Sequence, residues 1–197
     1  MKIAVFASHG GTDMQAIVDG CKSGKINATV EVLICNNEDA FVLKRAENEG
    51  IPSYILNKAK CGSEDAIANK ILELMEQYSI DMIFLAGYMR KMHPAVLEKF
   101  DNRIFNIHPA LLPKYGGKGM YGIHVHEAVI AAGEKESGVT IHRVNSQYDS
   151  GQIIRQTTVP VMEGDTPDTL AARVLEREHE FLVEVISDIA DGKIPLG

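Results

Sequence analysis

The chain has 197 residues, with 20 Lys and Arg against 27 Asp and Glu for a formal net charge of −7, and 45% of the residues are hydrophobic. This balance excludes disordered and collagen-like chains, and no apolar run approaches the roughly 20 residues of a membrane helix. A negative chain without a basic run also argues against a nucleic-acid surface, because phosphate neutralisation supplies most of that affinity. The apolar start Ile3-Ala4-Val5-Phe6-Ala7 is too short for a signal-peptide core, so a cytoplasmic, single-domain protein is expected. Cys21, Cys35 and Cys61 lie far apart without paired spacing, which suggests neither a disulfide framework nor a zinc clip.

The first half alternates β-branched runs with helical patterns, the signature of a mostly parallel sheet with helices on both faces. Residues 2–7 are nearly continuously apolar, as a strand buried on both sides requires, and a helix follows on Met14, Ile17, Val18 and Cys21. Thr12 or Asp13 is expected to cap its start. Strand 28–35, helix 39–49 closed by Gly50, strand 53–56 and helix 64–78 come next, then strand 81–86, helix 94–100 and strand 103–107. The Gly-rich stretch 114–122 is expected to be a surface loop, and Glu134-Lys135-Glu136 a solvated one. Helix 124–132 precedes strands 138–144 and 152–159, an antiparallel addition to the sheet. A final helix, about 166–190, starts on Thr166-Pro167.

In such α/β sheets ligands bind beyond the carboxyl ends of the strands, where strand order reverses, and three features converge there. Gly10-Gly11-Thr12-Asp13 offers helix-start amides that suit a phosphate, and a tight strand-to-helix turn equally well. Asn106 and His108 share one face at period two, pairing a carbonyl polariser with a proton-transfer group. Tyr148-Asp149-Ser150-Gly151 is a turn whose carboxylate, if it reaches His108, fixes the imidazole tautomer and raises its pKa. No Ser or Cys sits in a nucleophile elbow, so the attacking group is expected to belong to the substrate. His124 and His126 open a helix without a suitably spaced third ligand, which disfavours a metal site, and His142 fits a partly buried strand histidine.

The stretches Leu85-Ala86-Gly87-Tyr88-Met89-Arg90, Asn106 to Lys114, Gly138 to His142 leading into Asp149-Ser150-Gly151-Gln152-Ile153-Ile154, and Glu178-His179 carry a specific likeness. On them the chain resembles the glycinamide ribonucleotide formyltransferase family, folate-dependent enzymes of purine synthesis, nearly end to end. The resemblance implies a Rossmann-like formyltransferase fold, with a phosphate-binding half at about 1–100 and a folate and catalytic half at about 101–197. It also implies direct attack of the substrate amine on the formyl group of 10-formyltetrahydrofolate, with no metal, in a monomer or homodimer.

By the same resemblance, Asn106 meets the formyl oxygen, His108 handles protons and Asp149 orients and charges the imidazole. The amides of Gly11, Thr12 and Asp13 take the ribose phosphate, with Glu178 on the ribose or glycinamide side. Met89, Arg90, Lys91 and Met92, with Asn106 and the loop Asn145, Ser146, Gln147, Tyr148 and Asp149, take the folate. The chain departs from the family pattern at Asp13, where asparagine is usual, at His9, where a small residue is usual, and at Glu64, where many members have an arginine. Hydrolysis of the same folate, formylation of a nucleotide amino sugar and an inactive folate-binding module are the alternatives. A tRNA-directed enzyme would need a carboxyl-terminal RNA-binding domain.

Overall fold

The computed structural model describes residues 1–197. Its strands are β1 (Lys2–Ala7), β2 (Thr29–Cys35), β3 (Ser53–Ile55), β4 (Met82–Leu85), β5 (Ile104–His108), β6 (Glu136–Arg143) and β7 (Ile153–Pro160). They form one seven-stranded sheet in the order β3-β2-β1-β4-β5-β6-β7. The first five are parallel, while β6 and β7 are antiparallel to their neighbours. The helices are α1 (Thr12–Lys22), α2 (Phe41–Glu49), α3 (Lys58–Cys61), α4 (Glu64–Gln77), α5 (Pro94–Lys99), α6 (Ile123–Ala131) and α7 (Pro167–Ala190).

The apolar run of β1 is explained by two cores, one on each side of the sheet. Ile3, Val5 and Ala7 face a layer containing Met14 and Ile17 of α1, Val42 of α2 and Phe181 of α7. Ala4 and Phe6 face a second layer built on Ile67, Ile71 and Leu74 of α4 and Val96 of α5. A period-two strand between two helical layers must be apolar at every position.

Thr166 and Thr169 cap each other at the start of α7, with Pro167 in its first turn. Other local expectations are corrected. The start of α1 has no side-chain cap: Gly11 is the cap residue in a left-handed conformation at φ 75°. Just before α7, the Arg173 guanidinium donates to both carboxylate oxygens of Asp165, at 2.6 and 2.8 Å. Glu136 begins β6, and Glu134 accepts hydrogen bonds from Lys114 Nζ and the Tyr115 hydroxyl, each at 2.8 Å. The single helical turn α3, capped by Asn57, had no periodicity to announce it.

Candidate active site

Sheet order reverses at β1, which sends its first crossover to β2 and receives β4 on its other edge. The chain leaving β1 and the chain leaving β4 are tied together, because the Ser8 amide donates to the Gly87 carbonyl at 3.1 Å and the Met89 amide donates to Ser8 Oγ at 2.8 Å. Beyond these strand ends lies a cavity of about 770 Å³, large enough for two small substrates. Its lining includes His9, Asp13 and Glu178 at one side, Asn106, His108, His142 and Asp149 in the middle, and Met89 to Met92 with Asn145, Gln147 and Tyr148. Of the expected site residues, Gly11, Thr12 and Ser146 are outside that lining.

The middle of the cavity is built on the β5–β6 pairing, in which Asn106 is in register with His142 and His108 with Thr140. His108 Nε2 lies 2.7 Å from the Tyr115 carbonyl, which only accepts, so Nε2 carries a hydrogen and Nδ1 is the free nitrogen. That Nδ1 faces Asp149 Oδ2 at 3.7 Å. His142 Nδ1 donates to the Arg143 carbonyl at 2.8 Å, which leaves the Nε2 lone pair to accept from Asn106 Nδ2 at 3.1 Å. One amide hydrogen of Asn106 is thereby used within the protein, and the other remains for a ligand.

Burial pushes the His108 pKa down and, with a smaller contribution from His142, outweighs the Asp149 charge and the Tyr115 carbonyl, which raise it. The expected net rise is therefore corrected: Asp149 opposes the downward shift without reversing it. Asp149 itself is held below the usual carboxylate range; burial works against this, but the His142 ring, 3.5 Å from Oδ1, and the His108 ring, each in its charged form, prevail together with the Gly117 amide. That amide donates to Asp149 Oδ2 at 2.9 Å, so the Gly-rich 117–122 stretch is a wall of the cavity fastened to its carboxylate.

At the α1 end, the first amides of the helix have no acceptor in the protein, and the first intrahelical-type bond runs from Gln15 to the Gly11 carbonyl. Arg45 Nε donates to the Gly10 carbonyl at 2.9 Å, adding positive charge beside the turn. Gly11 is required here: a Cβ would collide with the Val42 side chain, and φ is positive. The Asp13 carboxyl is pushed up to about 6 by burial. Burial and the Asp13 charge raise Glu178 well above the usual range. His179 is pushed down by burial and by Arg45, and its Nε2 faces Asp13 Oδ1 at 3.5 Å.

At the other end Arg90 is paired with Glu64, whose carboxylate also faces Lys58 Nζ at 3.4 Å. Lys91 stacks over the Tyr148 ring at 5.8 Å. Three contributors carry little signal in the sequence: His142 reads as a strand histidine, Arg45 as one of several surface cations, and the Tyr115 carbonyl has no side-chain signature; the β5–β6 pairing is what brings His142 to Asn106. His124 bonds to Glu127 at 2.9 Å, and no group of three His, Cys, Asp or Glu side chains is arranged to hold a metal ion.

The family model for formyl transferases matches residues 1–186. The chain is 42% identical to the chloroplastic phosphoribosylglycinamide formyltransferase of Arabidopsis thaliana, over 98% of this chain and 66% of that protein. It thus spans about two thirds of that relative. It is 38% identical to the phosphoribosylglycinamide formyltransferase of Escherichia coli strain K12, over 100% of this chain and 90% of the other. The crystal structure of glycinamide ribonucleotide transformylase 1 from Symbiobacterium toebii matches with a TM-score of 0.91 at 38% identity, covering 99% of this chain and 90% of that one. The chain belongs to the formyl transferase family, and the relatives named here, which match it over nearly its whole length, are phosphoribosylglycinamide formyltransferases.

Proposed function

We propose that the protein transfers the formyl group of 10-formyltetrahydrofolate to the amine of glycinamide ribonucleotide, a step of purine biosynthesis. The observation that carries this reading is the meeting of Asn106, His108 and Asp149 in the middle of one cavity, with free helix amides toward one end and Arg90 and Lys91 toward the other. The chain acts as a single domain, as a monomer or homodimer in the cytoplasm, with small molecules rather than nucleic acid or membrane as its ligands. The amides of Gly11, Thr12 and Asp13 at the start of α1 take the ribose phosphate, and of the three only Asp13 lines the cavity. Glu178 meets the ribose or glycinamide, and Met89, Arg90, Lys91, Met92, Asn145, Ser146, Gln147 and Tyr148 take the folate.

The amine lone pair attacks the formyl carbon, and the carbonyl electrons move onto oxygen. The free amide hydrogen of Asn106 meets that oxyanion, an interaction worth about 3 kcal/mol in comparable sites. His108, neutral at physiological pH, takes the proton from the new C–N nitrogen at Nδ1, while Asp149 stabilises the imidazolium that results. The same proton is then delivered to the folate nitrogen as its bond to the formyl carbon breaks. No step in this sequence needs a metal.

The test is a spectrophotometric assay with the formylated folate, with and without glycinamide ribonucleotide, followed by mass spectrometry of the products. Formylated ribonucleotide in equal amount to consumed donor is the expected result. Donor consumption without the ribonucleotide would make the protein a hydrolase instead.

A further inference from the structure

Asp13 and Glu178 bring two acidic side chains to the cavity end that holds the free amides of α1. Glu178 is only 7% exposed. The Asp13 side chain is 14% exposed, and its Oδ1 is buried without a hydrogen-bond partner, as is the facing His179 Nε2. The helix dipole and Arg45 favour an anion here, but Asp13 opposes one when ionised, while burial and the Asp13 charge push Glu178 toward its protonated form. A phosphate arriving at these amides would therefore meet its own charge on the same helical turn.

We propose that Asp13 is a specificity-determining residue which holds a proton when a phosphate monoester occupies the α1 end, so that ligand and one proton bind together. This rests on reading that end as the phosphate site of the acceptor. Protonation removes the charge next to the amides and turns a carboxylate that only accepts into a group with an O–H donor. Glu178 is raised well above the usual range partly by the Asp13 charge and so keeps its own proton, which leaves Asp13 as the carboxyl that changes state when the anion arrives. Glu178 and His179 come from α7, His9 lies across the cavity end, and Arg45 reaches the turn from α2. Burial already moves Asp13 up to about 6, whereas it moves His179 down. A second negative charge at the amides pushes Asp13 further in the same direction.

The experiment is calorimetric titration of inorganic phosphate, and separately of glycinamide ribonucleotide, into the wild type, Asp13→Asn and His179→Gln, in buffers of different ionisation enthalpy. Ionisation of the ligand is common to all three proteins, so it cancels in the comparison. The wild type is expected to take up close to one more proton per ligand than Asp13→Asn, and the ratio of the two Kd values should rise by up to tenfold per pH unit above about pH 6. Asp13→Asn should bind phosphate more tightly at high pH, and His179→Gln should keep the proton uptake.

Equal proton counts in the wild type and Asp13→Asn would overturn the proposal, and so would uptake lost in His179→Gln but kept in Asp13→Asn. Phosphate failing to bind any of the three would overturn it as well. Formyl transfer is measured separately: if linked proton uptake is present but the ribonucleotide is not formylated, the acceptor assignment fails and the proton linkage stands.

Discussion

His142 sits between Asn106 and Asp149: its Nδ1 donates to the Arg143 carbonyl, and in the neutral ring its Nε2 lone pair accepts from Asn106 at 3.1 Å and lies 3.5 Å from Asp149 Oδ1. Reversing the amide would set an oxygen against a lone pair. His142→Ala is therefore expected to lower kcat by roughly tenfold to a hundredfold with little change in KM for the donor, as befits a group that positions an oxyanion donor. Steady-state kinetics on both substrates decides this; a rise in KM at unchanged kcat would show that the ring serves binding alone.

Burial lowers the His108 pKa, so the base stays neutral to a lower pH than an exposed imidazole. The acid limb of the kcat profile should fall below about pH 6.5. His108→Ala should cost on the order of 10² to 10⁴ in kcat and leave folate binding measurable by fluorescence. An acid limb displaced above 6.5 would mean that the Asp149 charge dominates the site.

Arg90 lines the cavity with its guanidinium occupied by Glu64. Glu64→Gln frees that cation for an acidic ligand tail and should lower KM for the folate donor. The pair is partly exposed, and exposed pairs are worth about 0–1 kcal/mol, so the gain should not exceed about fivefold and should vanish in high salt. A KM series against ionic strength for both proteins checks it.

Asp13 is raised by burial from its ordinary 3.8 to about 6. The folded state therefore binds the proton more tightly than the unfolded chain. The protonated group costs no stability below about pH 4, and the penalty for its ionised form grows as pH rises through 6. Asp13→Asn should gain on the order of 2 kcal/mol at pH 8 and almost nothing at pH 4. Denaturant melts at the two pH values test this, and an equal gain at both would assign the effect to packing.

Gly11→Ala places a methyl group against Val42 at a residue whose φ is 75°. A loss of about 1–3 kcal/mol in stability is expected, with weaker binding of the phosphate-bearing acceptor as the turn shifts. The double variant Gly11→Ala, Val42→Ala should not recover the loss, since the Cβ and backbone of residue 42 still crowd the new methyl group and a fully buried valine is truncated.

The parts of this site that were legible in the sequence are those with a local cause. The apolar run of β1 announced a strand buried on both faces, and Asn106 and His108 shared a face by period alone. The roles of His142 and the Tyr115 carbonyl depend on pairing across β5 and β6 and on the path of the Gly-rich stretch, which are tertiary facts. The net direction of the His108 shift is hidden for the same reason: the sequence shows the carboxylate partner, which does raise the pKa, but not the depth of burial that outweighs it. The missing cap at α1 was likewise invisible, because Thr12 and Asp13 lie inside the helix once Gly11 takes the cap position.

The Gly117 amide and the His108 imidazole both address the same oxygen of Asp149, at 2.9 and 3.7 Å. One carboxylate thus acts as the hinge-pin of the cavity wall and as counter-charge to the base. Whatever neutralises it weakens the fastening of that wall while it removes the counter-charge of the base, so the two change together.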